Sequence, residues 1–150
     1  MLPEVPPVTK NKVSANVSAT RAATGLVVVE LPKNRVGVWV VELEPRPNGV
    51  LKWVALERFD LYNDREGQTA ALARFVDALP DGRAVLMCIT DTALAKTRPL
   101  GQELYEILHR LGAPKTMPPI GYRFPFAMIG AKGMRSGEAL CAVDKTKARV

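Results

Sequence analysis

Six consecutive apolar residues, Ala84-Val85-Leu86-Met87-Cys88-Ile89, stand between Asp81-Gly82 and Thr90-Asp91. A run this short is a strand rather than a membrane segment, and its lack of polar alternation marks it as the most buried strand of the fold. Everything else in the chain has to be arranged around it.

Upstream, Leu26-Val27-Val28-Val29 and Val36 to Leu43 are β-branched runs that read as strands. Pro45-Arg46-Pro47-Asn48-Gly49 is a turn, because proline presets φ and Asn-Gly accepts positive φ. Val50 to Phe59 is then the return strand of a hairpin, with an alternation mixed enough to imply burial on both faces in places. Asn63 or Asp64 can cap a helix carrying Leu72, Phe75, Val76 and Leu79 on one face, which Pro80 stops. A second helix is expected with Thr97 as cap, Pro99 in its first turn and Leu100, Leu104, Ile107, Leu108 and Leu111 on one face, closed by Gly112.

Residues 113–121 hold Pro114, Pro118 and Pro119 and form a loop; Phe126 to Ile129 is a strand, 130–137 a glycine-rich basic loop, and Glu138 to Val143 a last strand. Strands and helices do not alternate regularly, so the class is α+β rather than a doubly wound sheet. At 150 residues the chain is one domain. We divide it into an extended N-terminal arm (1–24), the domain proper (25–144) and a basic tail (145–150).

The formal charge of +6 suggests an anionic partner. Lys10, Lys12 and Arg21 give the first 24 residues +2, and the last 20, with Lys145, Lys147 and Arg149, carry +3. With little charge left for the body, nucleic-acid binding by the folded core is not expected, while the two basic ends could hold an acidic protein partner. No apolar run approaches the roughly 20 residues of a membrane-spanning helix. The proline-rich start lacks the pattern of a secretory signal, which favours an intracellular or assembly-associated protein over a secreted one. Asn16-Val17-Ser18 is a glycosylation sequon that matters only in a secreted protein. Cys88 and Cys141 are read as two buried thiols, with a single disulfide as the alternative.

Catalytic chemistry finds little material. His109 is the only histidine and lies within the second helical stripe, so neither a Ser-His-Asp nor a Cys-His site nor a zinc site is expected, and no cofactor is implied. Gly130, Gly133 and Gly137, with Lys132 and Arg135 between them, match no phosphate-binding fingerprint and read as a turn rather than a phosphate cradle.

Several pieces fall in a telling order: Phe59-Asp60-Leu61-Tyr62, a helix with Phe75, Leu79-Pro80-Asp81-Gly82-Arg83, a strand ending in Thr90-Asp91, Leu111-Gly112-Ala113, Gly121-Tyr122-Arg123, and Phe126 to Gly133. From about Val36 onward this order resembles the domain shared by the interleukin-like inducer of epithelial to mesenchymal transition, pancreatic-derived factor, and the stem region of protein O-mannose N-acetylglucosaminyltransferase. The resemblance implies a compact sandwich-like β-β-α fold, with two mainly antiparallel sheets and two flanking amphipathic helices. It implies recognition without catalysis, in secreted signals or carbohydrate-binding modules.

By position it assigns Asp91 and Arg123 to a glycan, with Phe126 and Trp39 or Trp53 as covering rings; the alternative for Asp91 and Arg123 is a buried salt bridge. The pattern departs at Thr92, Phe124 and Phe126, where relatives carry acidic residues and a tryptophan. The leading expectation is accordingly a non-enzymatic structural subunit of a larger assembly, held through its N-terminal arm. The rival is a carbohydrate-binding module or cytokine-like signal.

Overall fold

The computed structural model of the chain describes residues 14–16, 21–23, 28–30, 35–47 and 51–143, the first three segments by their backbone. Those segments, β1 (Ser14–Asn16), β2 (Arg21–Ala23) and β3 (Val28–Glu30), form a short antiparallel ladder in that order. The body is built from β4 (Val38–Pro45), β5 (Leu51–Phe59), α1 (Arg65–Asp77), β6 (Ala84–Ile89), α2 (Gln102–Arg110), β7 (Phe126–Ala131) and β8 (Leu140–Val143). Its five strands make one sheet in the order β5-β4-β6-β7-β8, with every neighbouring pair antiparallel. The α+β class holds, and the body carries a single five-stranded sheet rather than a pair. The uninterrupted apolar run is its central strand.

The β4–β5 pair is the expected hairpin. Its register slips between Glu42 and Leu43, which pair with Ala55 and Trp53, so Val54 faces no partner and is exposed. This bulge is why the alternation along β5 reads as mixed: one extra residue reverses the faces on either side of it.

Cross-strand partners lie on the same face, so the register sorts the side chains. Val38 and Val40, Val85, Met87 and Ile89, and Phe126 and Met128 share one face and form a core with Leu72, Val76, Leu104, Ile107, Leu108 and Leu111. Trp39, Val41, Leu86, Cys88 and Ala127 share the other face, are also buried, and are not part of that core. Cys141 pairs with Met128 in register, on the helix side, whereas Cys88 pairs with Ala127 on the opposite side. The two thiols therefore look away from each other across the sheet and are free, as the first of the two readings has it.

Helix α1 starts at Asp64, whose carboxylate accepts from the Gly67 amide at 3.1 Å. Replacing this cap, Asp64→Ala, is expected to cost about 1 kcal/mol in urea denaturation at pH 7. At the other end Lys132 donates from Nζ to the carbonyls of Asp77 and Leu79 at 2.6 and 2.8 Å, capping the helix with a cation. Phe75 meets Phe59 edge-on with ring centroids 5.6 Å apart, fixing α1 against β5.

Helix α2 departs from its expected start. Its first residue is Gln102 and its N-cap is Gly101, not Thr97. The reason lies in α1: the Pro99 carbonyl accepts from Arg65 at 2.7 Å, and Arg98 forks onto Glu66 at 2.7 and 2.9 Å. These contacts hold 98–99 outside the helix, while Leu100 still reaches the core. The end of α2 is as expected. Gly112, at φ 103°, lets the Ala113 amide bond the Leu108 carbonyl at 3.0 Å and its own amide bond that of His109 at 3.1 Å, a Schellman closure.

Candidate functional site

At one end of the sheet the chain leaves β6 through Thr90, Asp91 and Thr92. Thr92 is only 3% exposed. Its hydroxyl donates to the Leu94 carbonyl at 2.8 Å and accepts from the amides of Leu94 at 3.3 Å and Arg123 at 3.1 Å, while its own carbonyl accepts from the Gly37 amide at 2.8 Å. One buried residue thus joins, through its backbone carbonyl and its hydroxyl, the approach to β4, the exit from β6 and the distant 121–124 turn.

In that turn the Phe124 amide donates to the Gly121 carbonyl at 3.1 Å, and Arg123 adopts φ 58°. Among the described residues it is the single non-glycine with positive φ. A left-handed arginine costs roughly 1–2 kcal/mol, and such conformations persist where surrounding contacts overdetermine them. The Thr92 bond is one such contact.

The consequence is an exposed guanidinium placed beside three polar side chains. It lies 5.5 Å from the centroid of the Tyr122 ring. The basicity of Arg123 is raised, first by its hydrogen bond to Tyr122, then by the charges of Tyr122 and Asp91, and more weakly by Tyr62. Asp91 is half-buried and Tyr62 is 37% exposed. Asp91 and Arg123 are close enough to feel each other without closing into a direct ion pair, so the buried salt bridge weighed from the sequence is not formed. Both keep hydrogen-bonding capacity for a ligand.

The structure thus brings Asp91 and Arg123 together, as the sequence order implies. Phe126 is the correction: at 1% exposure its ring is enclosed in the core, paired in register with Ile89 and Val143, and has no free face for a sugar. Trp39 is likewise buried, on the far side of the sheet, and the side chain of Trp53 lies outside the described residues. The aromatic rings beside Arg123 are Tyr122 and Tyr62, neither of which the sequence marks as a ligand-binding residue. The only signal for Tyr122 was its adjacency to the arginine.

Of the proposed partner-binding cations, Lys10, Lys12, Lys145, Lys147 and Arg149 lie outside the described residues, and Arg21 is described by backbone alone within β2.

The glycine-rich segment turns out to be structural. Gly130 belongs to β7, where a Cβ would overlap the Leu111 carbonyl oxygen, and the Ala131 amide donates to that same oxygen at 3.1 Å. The amides of Gly137 and Ala139 both donate to the Gly112 carbonyl, and Ser136 Oγ to that of Ala113. With Lys132 capping α1, the segment clamps the ends of both helices. Arg83, in the Asp81-Gly82-Arg83 motif, is also structural, bonded to Glu42 at 2.8 Å.

A groove of about 400 Å³ lies between α1 and α2, floored by Ala70, Ala73 and Ile107. Its charged rim is largely paired within the chain, Glu66 with Arg65 and Arg98, and Arg110 with Asp77. Among the described residues no three His, Cys, Asp or Glu side chains converge as metal ligands, and no helix is long and apolar enough to cross a membrane.

The family model described as interleukin-like EMT inducer matches residues 36–134, from the approach to β4 through β7 to Met134. No curated protein matches the chain.

Proposed function

Because the chain belongs to the interleukin-like EMT inducer family, we propose that it is a non-enzymatic recognition domain that binds a hydroxyl-rich ligand, a carbohydrate chain, where Asp91, Tyr122 and Arg123 converge. The observation that supports this most is the left-handed Arg123, tied by its amide to buried Thr92 and carrying an exposed charge beside Asp91. A carboxylate that accepts and a guanidinium that donates can hold neighbouring sugar hydroxyls, and Tyr62 offers an aromatic surface for the ring. The helix groove is the weaker candidate, since most of its charges already have partners within the chain. The assembly-subunit reading rests on the basic ends, whose charges of +2 and +3 suit an acidic partner.

A glycan array read with the intact chain, Asp91→Ala and Arg123→Gly tests the proposal. Glycine accepts φ 58° without strain. Arg123→Gly should therefore leave the melting transition unchanged, or stabilise the fold by up to about 1 kcal/mol, while lowering retention of bound glycans at least about tenfold, the loss of one charged hydrogen bond. If the intact chain retains no glycan, or if Arg123→Gly retains them equally well, the reading fails.

A further inference from the structure

The two helices are tied together at both ends. Near their starts Arg65 donates to the Pro99 carbonyl at 2.7 Å and Arg98 reaches Glu66 at 2.7 Å; near their ends Arg110 meets Asp77 at 2.7 Å. Between these ties the floor of the groove is Ala70 and Ala73 of α1 and Ile107 of α2, too little side-chain volume to close the space of about 400 Å³.

The polar groups of this groove differ in what they have left to offer. Its arginines are committed: Arg65 shares Glu66 with Arg98, and Arg110, one helical turn after Glu106, turns instead to Asp77. Glu103 and Glu106 also line the groove, and their side chains make no ion pair or hydrogen bond among the described residues. Three positions apart on one helix, their Cβ atoms are separated by about 5–6 Å. A second, independent group points the same way. Thr69 lines the groove at only 8% exposure, and its hydroxyl has no hydrogen-bond partner among the described residues. Buried polar groups ordinarily have one.

What remains for a ligand is therefore a set of acceptors above an apolar floor. Carboxylates only accept and ammonium groups only donate, while an alkyl chain between two ammonium groups can lie along the methyls of Ala70 and Ala73. The space is at the lower end of the volumes that hold small molecules. A docked protein segment would need a wider apolar surround. The exposed large hydrophobics among the described residues, Val54, Tyr62 and Leu140, all lie away from the groove.

We infer that the α1–α2 groove is a second binding site, for a small alkyl diamine in its doubly protonated form, whose ammonium groups are held by Glu103 and Glu106 with Thr69 accepting a further hydrogen bond. The site is separate from the Asp91–Arg123 surface and stands whether or not that surface binds a glycan.

Titration of the ¹⁵N-labelled full chain with cadaverine at low ionic strength tests this. Saturable amide shifts confined to residues 65–73 and 101–110, the stretches that line the groove, are the expected result. Pentylamine, with one ammonium, should bind at least about fivefold more weakly, and pentanediol, with none, should cause no shifts. Glu103→Gln and Glu106→Gln keep the side-chain shape at exposed positions. Each should lower the affinity about fivefold with thermal unfolding little changed. Thr69→Val should lower it by a similar factor, about that of one hydrogen bond. Asp91→Ala should bind cadaverine as the intact chain does, which distinguishes this site from the glycan surface. No saturation by about 10 mM, equal affinity for the diamine and the monoamine, or carboxylate variants that bind as tightly as the intact chain overturns the inference. Groove shifts produced by a lysine-rich peptide but not by cadaverine overturn it too, since the occupant is then a protein segment.

Discussion

Gly130→Ala is expected to destabilise the domain by about 3 kcal/mol in urea denaturation, a large part of the total stability of a domain this size. No rotamer can relieve the clash, because the added methyl has no torsion of its own and meets the Leu111 carbonyl, which is backbone at the end of α2. That carbonyl also accepts from Ala131, so moving the helix away breaks a hydrogen bond as it relieves the overlap. The measured midpoint should fall with the m-value unchanged, as for lost stability without lost compactness. A change below about 0.5 kcal/mol, the range of ordinary surface substitutions, would mean that α2 does not dock on β7 as described.

Thr92→Val is expected to reach nearly as far and to act on two properties at once. Valine keeps the shape but removes an oxygen that serves the amides of Arg123 and Leu94 and the carbonyl of Leu94. Buried groups left without partners cost about 1–3 kcal/mol each where water cannot replace the bond, so a total loss of about 2–3 kcal/mol is expected. Ligand retention should weaken too, although Thr92 is itself buried, because the left-handed turn presenting Arg123 loses its anchor. Thr92→Ser keeps the hydroxyl and should cost no more than about 1.5 kcal/mol, with binding preserved. If Val and Ser behave alike, the hydroxyl is not what ties the two segments together.

Much of the scaffold was legible in the residues because its signals are local. Asp64 as cap, Pro80 as stop, Gly112 as closure and the unbroken 84–89 run each act through the backbone of their own neighbourhood. The start of α2 was not legible, since Arg98 and Pro99 are held off the helix by Arg65 and Glu66, more than 30 positions away. The bulge at Val54 was likewise a property of the pair of strands, not of either one.

For the candidate site, the order of motifs carried Asp91 and Arg123, but not which aromatic accompanies them. Phe126 is two positions along from Phe124, and only the register of β7 against β6 and β8 shows that its ring enters the core. Thr92 was visible as a departure from an acidic position, and its role depends on three contacts, one of them 31 positions distant. Lys132 shows the converse: the glycines around it read as a turn rather than a phosphate cradle, but only the structure shows what its ammonium does, capping the carbonyls at the end of α1.

Titration of ¹⁵N-labelled full-length protein with an oligosaccharide retained on the array addresses the proposed surface most directly. Amide shifts confined to residues 61–63, 90–93 and 121–124 are the expected result. Shifts centred instead on the α1–α2 groove, around Ala70, Ala73 and Ile107, would contradict the assignment of recognition to Asp91 and Arg123.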